Sequence, residues 1–356
     1  MLFTTHYSLL TSHYSLTTYH FSLLTSHLSL TASIPAPLIV LAGPTASGKT
    51  SLAIHLAEQL NGEILSCDSV SVYRGLDIGS AKPSLEERTR IPHYGLDWYA
   101  PNEEATAGDY ARRGRIALAD ITSRGKLPIV AGGTGLYLRA LIEGLAPAPQ
   151  RDEALRDRLR AREEKRPGSL HRLLTRFDAR AAAAIHANDI PKVIRALEMT
   201  LLAQAPQTTQ WAAGKEALEG YSVLRLGLDP PRALLYERIN ARAAAMFERG
   251  LVEETAAIRA EYGEALRSMG ALGYAQASAL LRGEITREEA IRAAQQGHRN
   301  YAKRQLTWFR REPDMRWLQG FGDAANIQHE ALETTLDFLS AANGPYIQSL
   351  QEDDKA

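Results

Sequence analysis

Four short apolar runs punctuate the chain, each leading into glycine-rich or helical sequence. Leu38-Ile-Val-Leu-Ala42 reads as a buried parallel strand, and Ser51 to Leu60 behind it has helical spacing. Gly62-Glu-Ile-Leu-Ser-Cys-Asp68 reads as a second strand ending in a carboxylate. Leu127-Pro-Ile-Val-Ala runs through Gly132-Gly-Thr-Gly135 into a helix. Val223 to Leu228 reads as a returning strand, and a long helix starts near Pro231, where proline suits a first turn. Between the last two strands, residues 147–220 are Ala- and Arg-rich with helical character, an insertion in a sheet domain. Buried strands alternating with helices predict an α/β fold.

The first strand–helix junction carries Gly43-Pro-Thr-Ala-Ser-Gly-Lys-Thr50, which fits G-x-x-x-x-G-K-[ST] in the strand–loop–helix setting the motif needs. Its backbone N–H groups form an anion nest at a helix N-terminus. Lys49 adds a charge, and the hydroxyl of Thr50 suits Mg²⁺. A di- or triphosphate is expected there; the motif alone does not select ATP. An ATPase usually has an Asp at the end of a strand like 127–131 to hold Mg²⁺. Here Ala131-Gly-Gly-Thr134 stands instead, which argues against ATP hydrolysis.

Three further features carry candidate chemistry. Asp68 ends its strand beside the phosphate loop, since open α/β sheets bind ligands at the carboxyl ends of their strands; a turn-capping role is the other reading. The following stretch, 69–83, is too long for a simple connector. On the helix after Pro231, Leu235, Ile239, Arg242 and Met246 form one stripe, which places a guanidinium among apolar neighbours. It needs a phosphate or an internal carboxylate as partner. On a helix over 298–311, Tyr301, Arg304, Trp308 and Arg311 share a face, suited to stacking bases or to anchoring a Trp under snorkelling arginines.

Composition adds two corrections to this picture. The formal net charge of the 356 residues is zero, yet 151–180 holds ten Arg/Lys against six Asp/Glu, and 290–316 seven against two. Residues 321–356 reverse the balance, one against seven, and 319–356 read as an acidic tail. Basic patches point to a polyanion, with solvated helix faces as the alternative. The single cysteine, Cys67, excludes a disulfide framework or a zinc cluster and suits the cytoplasm. No apolar run is long enough to span a membrane. The first 36 residues are anomalous: His6, His13, His20 and His27 each open a variant of HYSLLTS, and no Asp, Glu, Lys or Arg precedes Lys49. Neither a secretory nor a transit signal has that composition. The expectation is a disordered low-complexity extension, from a start site placed too far upstream.

Read in order, GPTASGKTSLAIHLA, ILSCDSVSVYRGLDIGSAKP, RIPHYGLD, LPIVAGGTGLYLRALIEGL, AAIHANDIPKVIRALE, the Leu235–Gly250 helix, ALGY and YAKRQLTWFR closely resemble the bacterial tRNA dimethylallyltransferases (tRNA isopentenyltransferases) over about residues 38–318. The resemblance implies a P-loop kinase-like core over 37–146 and 221–318, a helical tRNA-gripping insertion over 147–220, and a monomer. It implies that Gly43, Pro44, Thr45, Ala46, Ser47, Gly48, Lys49 and Thr50 hold the diphosphate of dimethylallyl diphosphate, with Mg²⁺ on Thr50. The five-carbon group passes to N6 of the adenosine 3′ of the anticodon. Asp68 matches the base, Thr45 the group bonded to the bridging oxygen, and Arg242 the leaving-group cation. Contacts to the tRNA anticodon stem-loop are implied for Asp68, Ser69, Val70, Ser71, Thr134, Arg156, Pro191, Lys192, Val193, Ile194, Arg195, His298, Arg299, Lys303, Arg304 and Gln305. Ser71 departs from the Gln of many relatives, Pro191-Lys192 from a frequent Gln-Arg, Gly270 from the Arg of some, and Ala203–Pro206 from a Thr-Gly-Lys-Pro turn. The rival readings are a P-loop small-molecule kinase and a non-catalytic RNA-binding protein.

Overall fold

The computed structural model describes residues 34–342 apart from 147 and 213. The heptapeptide repeats and residues 343–356 lie outside the described residues. Six strands form one parallel sheet: β1 (Ala36–Ala42), β2 (Gly62–Cys67), β3 (His93–Tyr94), β4 (Leu127–Gly132), β5 (Tyr221–Leu228) and β6 (Met315–Leu318), in spatial order β3-β2-β4-β1-β5-β6. The four strands expected from the apolar runs form its centre. β3 and β6 are short edge strands that the apolar pattern does not mark.

Period-two alternation divides the strand side chains between two cores. Leu38, Val40, Leu65, Cys67 and Val130 face one side with Tyr110, Phe247, Tyr274 and Phe309. Ile39, Leu41, Ile64 and Ile129 face the other, under helix Lys49–Gln59. On that second side lies helix Ala325–Ala342, with Ile327, Ala331 and Leu339 buried. Much of the segment read as an acidic tail is therefore part of the core: its acidic residues Glu330, Glu333 and Asp337 are exposed, while every fourth residue faces the sheet.

The insertion is helical as expected and has its own core, built by Leu159, Leu170, Leu174, Val193, Ile194 and Leu197. At its base Glu198, fully buried, accepts Arg156 Nε at 2.8 Å and Nη2 at 2.9 Å, Asp152 N at 2.8 Å, and an ion pair from Arg195. Burial raises the carboxyl's pKa, but these donors outweigh it and hold the group at about 2. Glu198→Ala strands two guanidinium groups and should destabilise the insertion by about 3 kcal/mol, read as a lowered unfolding midpoint at pH 7. Since the folded pKa is depressed, the contribution is complete above the ordinary Glu value and lost as pH falls towards about 2.

Candidate active site

Strand register brings the three glycine- and Asp-bearing junctions together. Ala42 pairs with Gly132, and Gly132 with Cys67, so the loops that leave β1, β2 and β4 start side by side at one sheet edge. Gly132 is fixed by this crowding: a Cβ there would lie 2.1 Å from Cys67 O. The β1 loop is the phosphate loop. Gly48, at φ 86°, opens helix Lys49–Gln59, and a Cβ on it would meet the backbone of Asp323 at 2.9 Å. The loop and Asp68 share a cavity of about 460 Å³ with Arg238, Arg242, Tyr301 and Gln305.

The cations of this cavity are poised for an anion. Lys49 Nζ donates to Pro44 O at 2.6 Å and has no carboxylate within ion-pair distance among the described residues. Burial, reinforced by Arg242, lowers its pKa to about 7, against the pull of Asp68. Arg242 makes no hydrogen bond or ion pair among the described residues, and burial lowers its pKa against the attraction of Asp68. The internal salt bridge considered for Arg242 is thus absent at contact distance. His298 lies behind it, with Nε2 buried and unpartnered and its pKa pushed down to about 4 by burial and by Arg242. A bound diphosphate favours protonated Lys49, so its affinity should weaken about tenfold per pH unit from pH 7 to 9. Calorimetry across that range reads the effect; an affinity independent of pH would contradict it.

Asp68 is both a turn former and an open carboxylate. Oδ1 accepts Val70 N at 2.8 Å and Ser71 N at 3.1 Å, while Oδ2 accepts no hydrogen bond among the described residues. Thr134 sits beside this turn: its N donates to Cys67 O at 3.2 Å and its Oγ1 accepts Ser69 N at 3.1 Å. Ser71, where relatives often have Gln, is buried, with its Oγ 3.2 Å from Ser66 Oγ.

Across the Asp68–Ser71 turn and Gly133–Thr134 lies a second cleft of about 1140 Å³, bordered by Ser69, Val70, Thr134 and five arginines, Arg112, Arg151, Arg156, Arg195 and Arg267. Sequence reasoning had not singled out Arg112, Arg151 and Arg267. Glu104 bridges the latter two, at 3.2 Å to Arg151 and 2.6 Å to Arg267.

The residues expected to touch RNA divide by helical phase. Lys303 and Arg304 are exposed on helix Arg287–Phe309, and Arg299 is half-buried, bonded to Asn240 and Gln296. Pro191 and Lys192 are exposed at the start of helix Ile190–Ala203, where Lys192 pairs with Asp189. Val193 and Ile194 are corrected: their side chains are 0% and 4% exposed in the insertion core, because the helical turn that exposes Lys192 rotates them inward. Gln305 is 5% exposed, with both ends of its amide bonded within the protein, and it lines the cavity. His298 is largely buried, and Arg156 is committed to Glu198 although it borders the cleft. Trp308 anchors against Gly135, with Arg139 4.4 Å above its ring. Gly270 has open space where a side chain would stand.

Comparison with known proteins identifies the family. The family described as IPP transferase matches residues 71–312, and that described as isopentenyl transferase matches 36–93. The chain is 61% identical to the tRNA dimethylallyltransferase of Koribacter versatilis over 297 residues, 83% of this chain and 97% of that protein. It is 54% identical to the one from Solibacter usitatus, over 85% and 99%. Among solved structures, the tRNA isopentenylpyrophosphate transferase of Bacillus halodurans superposes with TM-score 0.63 at 35% identity, covering 88% of this chain and 99% of that one. A eukaryotic dimethylallyltransferase acting on tRNA gives TM-score 0.73 at 27% identity, over 86% and 80%. A parallel sheet with a phosphate loop at the meeting point of three strand ends, and relatives matched almost end to end, place the chain in the tRNA dimethylallyltransferase (IPP transferase) family.

Proposed function

We propose that the protein transfers the dimethylallyl group from dimethylallyl diphosphate to N6 of the adenosine immediately 3′ of the anticodon in tRNA, releasing diphosphate. The observation that carries this reading is the shared cavity: unpaired Arg242 and the phosphate loop face the open oxygen of Asp68 across one space.

The residues divide the work. The allylic C1–O bond breaks as negative charge grows on the diphosphate, which Lys49, Arg242 and the loop N–H groups stabilise. The Thr45 hydroxyl, free of protein partners among the described residues, donates to the bridging oxygen. Adenine N6 forms the new bond to C1, and Asp68 accepts the proton that N6 loses. A base stacked in an anticodon loop cannot reach Asp68, so it is extruded into the site from the arginine-lined cleft, past Ser69 and Thr134. The RNA backbone is held by Lys303, Arg304 and the cleft arginines that Glu198 does not engage, Arg112, Arg151 and Arg267.

Magnesium fits the donor set. Among the described residues no three His, Cys, Asp or Glu side chains converge as metal ligands. Thr50 is exposed at the cavity, so a divalent cation would draw its oxygens from Thr50, the diphosphate and water, the pattern Mg²⁺ favours. When bound, Mg²⁺ neutralises charge on the leaving diphosphate. No helix among the described residues is long and apolar enough to cross a membrane, in keeping with tRNA as substrate.

Expression of the chain in a bacterium that lacks this modification tests the reading. Digested tRNA should regain N6-(dimethylallyl)adenosine at the position 3′ of the anticodon. Its absence, with the protein present and soluble, would overturn the assignment.

A further inference from the structure

We infer that Gln305 is a positioning residue that sets the alignment of donor and acceptor, and not an RNA contact; the inference rests on the prenyl-transfer reading above. Gln305 lies on the inner face of helix Arg287–Phe309, and its side-chain amide bridges two of the three loops that form the site. Oε1 accepts Thr45 N at 2.8 Å, and Nε2 donates to Gly133 O at 2.9 Å. The orientation is forced, because a backbone N–H only donates and a carbonyl only accepts. The fit is tight: a Cβ on Gly133 would lie 2.0 Å from Nε2.

Each end of the bridge reaches a reacting group. Thr45 carries the hydroxyl assigned to the bridging oxygen of the donor. Gly133 leads to Thr134, whose Oγ1 holds Ser69 N at 3.1 Å, next to the Asp68 turn. One buried amide thus fixes the spacing between the loop that holds the diphosphate and the turn that presents the base. The same helix exposes Lys303 and Arg304 on its outer face. Reaction requires the attacking nitrogen and C1 to be aligned within a fraction of an ångström, and small misplacement costs large rate factors.

Loss of the bridge has a chemical signature. With N6 displaced, a water oxygen can bond C1 as the C1–O bond breaks. The water proton passes to solvent, diphosphate leaves, and dimethylallyl alcohol forms instead of prenylated RNA.

The test measures diphosphate, dimethylallyl alcohol and prenylated anticodon stem-loop together in steady state. Gln305→Met keeps length and removes both hydrogen bonds. Its kcat for RNA prenylation should fall about a hundredfold, with the KM for RNA nearly unchanged and alcohol forming a larger share of product. Gln305→Glu serves if the Met variant does not fold. It keeps the acceptor for Thr45 N but opposes the Gly133 carbonyl, and protonation at lower pH restores a donor, so coupling should recover as pH falls. A raised RNA KM with product coupling intact would make Gln305 an RNA contact and overturn the inference. Unchanged kcat and coupling in both variants would overturn it too. If the natural protein itself makes no prenylated RNA, the prenyl-transfer reading fails, an outcome separable from either of these.

Discussion

Asp68→Asn should lower the rate of prenyl transfer about a thousandfold and leave RNA affinity nearly unchanged. The substitution is chosen for its geometry. The amide oxygen can still accept Val70 N and Ser71 N, which Oδ1 holds at 2.8 and 3.1 Å, so the turn survives. The amide nitrogen replaces the open oxygen and cannot take a proton from N6. The exocyclic amine of adenine is a weak nucleophile because its lone pair is delocalised into the ring, so loss of the base falls on the chemical step. Asp68→Ala removes base and turn together and should also disturb Ser69, which Thr134 holds from the other side. Single-turnover rates for the two variants, with RNA binding measured separately, separate these roles. A near-normal rate for Asp68→Asn would exclude Asp68 as the proton acceptor.

Arg242→Ala should cost about a hundredfold or more in kcat, and Arg242→Lys should recover part of it. Lysine keeps the charge and loses the two-pronged contact with phosphate. The same site predicts an opposite effect on the fold. Arg242 is drawn from water with no contact carboxylate among the described residues, and it lowers the pKa of both Lys49 and His298. Replacing it removes that repulsion, so Arg242→Ala should melt no lower than the natural protein when no diphosphate is present. Diphosphate should raise the melting temperature of the natural protein more than that of the variant. An Arg242→Ala protein that loses stability without ligand and keeps its kcat would show a structural cation, not a leaving-group one.

The site was legible in sequence because its parts are local. The phosphate loop, the Asp-ended strand and the Gly132–Thr134 turn each announce themselves by residue type and spacing. Their meeting was not legible: it depends on the pairing of Gly132 with both Ala42 and Cys67, contacts between segments far apart in the chain. The edge strands escaped notice because two residues in β3 and four in β6, one of them the exposed Arg316, leave no period to read. Helix Ala325–Ala342 was hidden by its composition. Its buried stripe runs through Ile327, Ala331, Thr335 and Leu339, with small and polar members, inside a segment whose charge suggests solvent.

The RNA-facing set shows the opposite failure. A motif is contiguous, but a helix exposes only part of it, so Val193 and Ile194 turn into the core between exposed Lys192 and half-buried Arg195. Polar identity does not mean exposure at Gln305, which is buried with both ends of its amide satisfied inside. Arg156 likewise spends its fork on Glu198.

The central claim is that the phosphate loop serves prenyl transfer to RNA and not phosphoryl transfer. Mass spectrometry of an anticodon stem-loop incubated with the protein, Mg²⁺ and either dimethylallyl diphosphate or ATP tests it most directly. The expected result is a gain of one five-carbon prenyl unit on the adenosine 3′ of the anticodon, with the prenyl donor alone. No gain on the RNA, with ADP formed from ATP, would contradict it and make the chain a kinase.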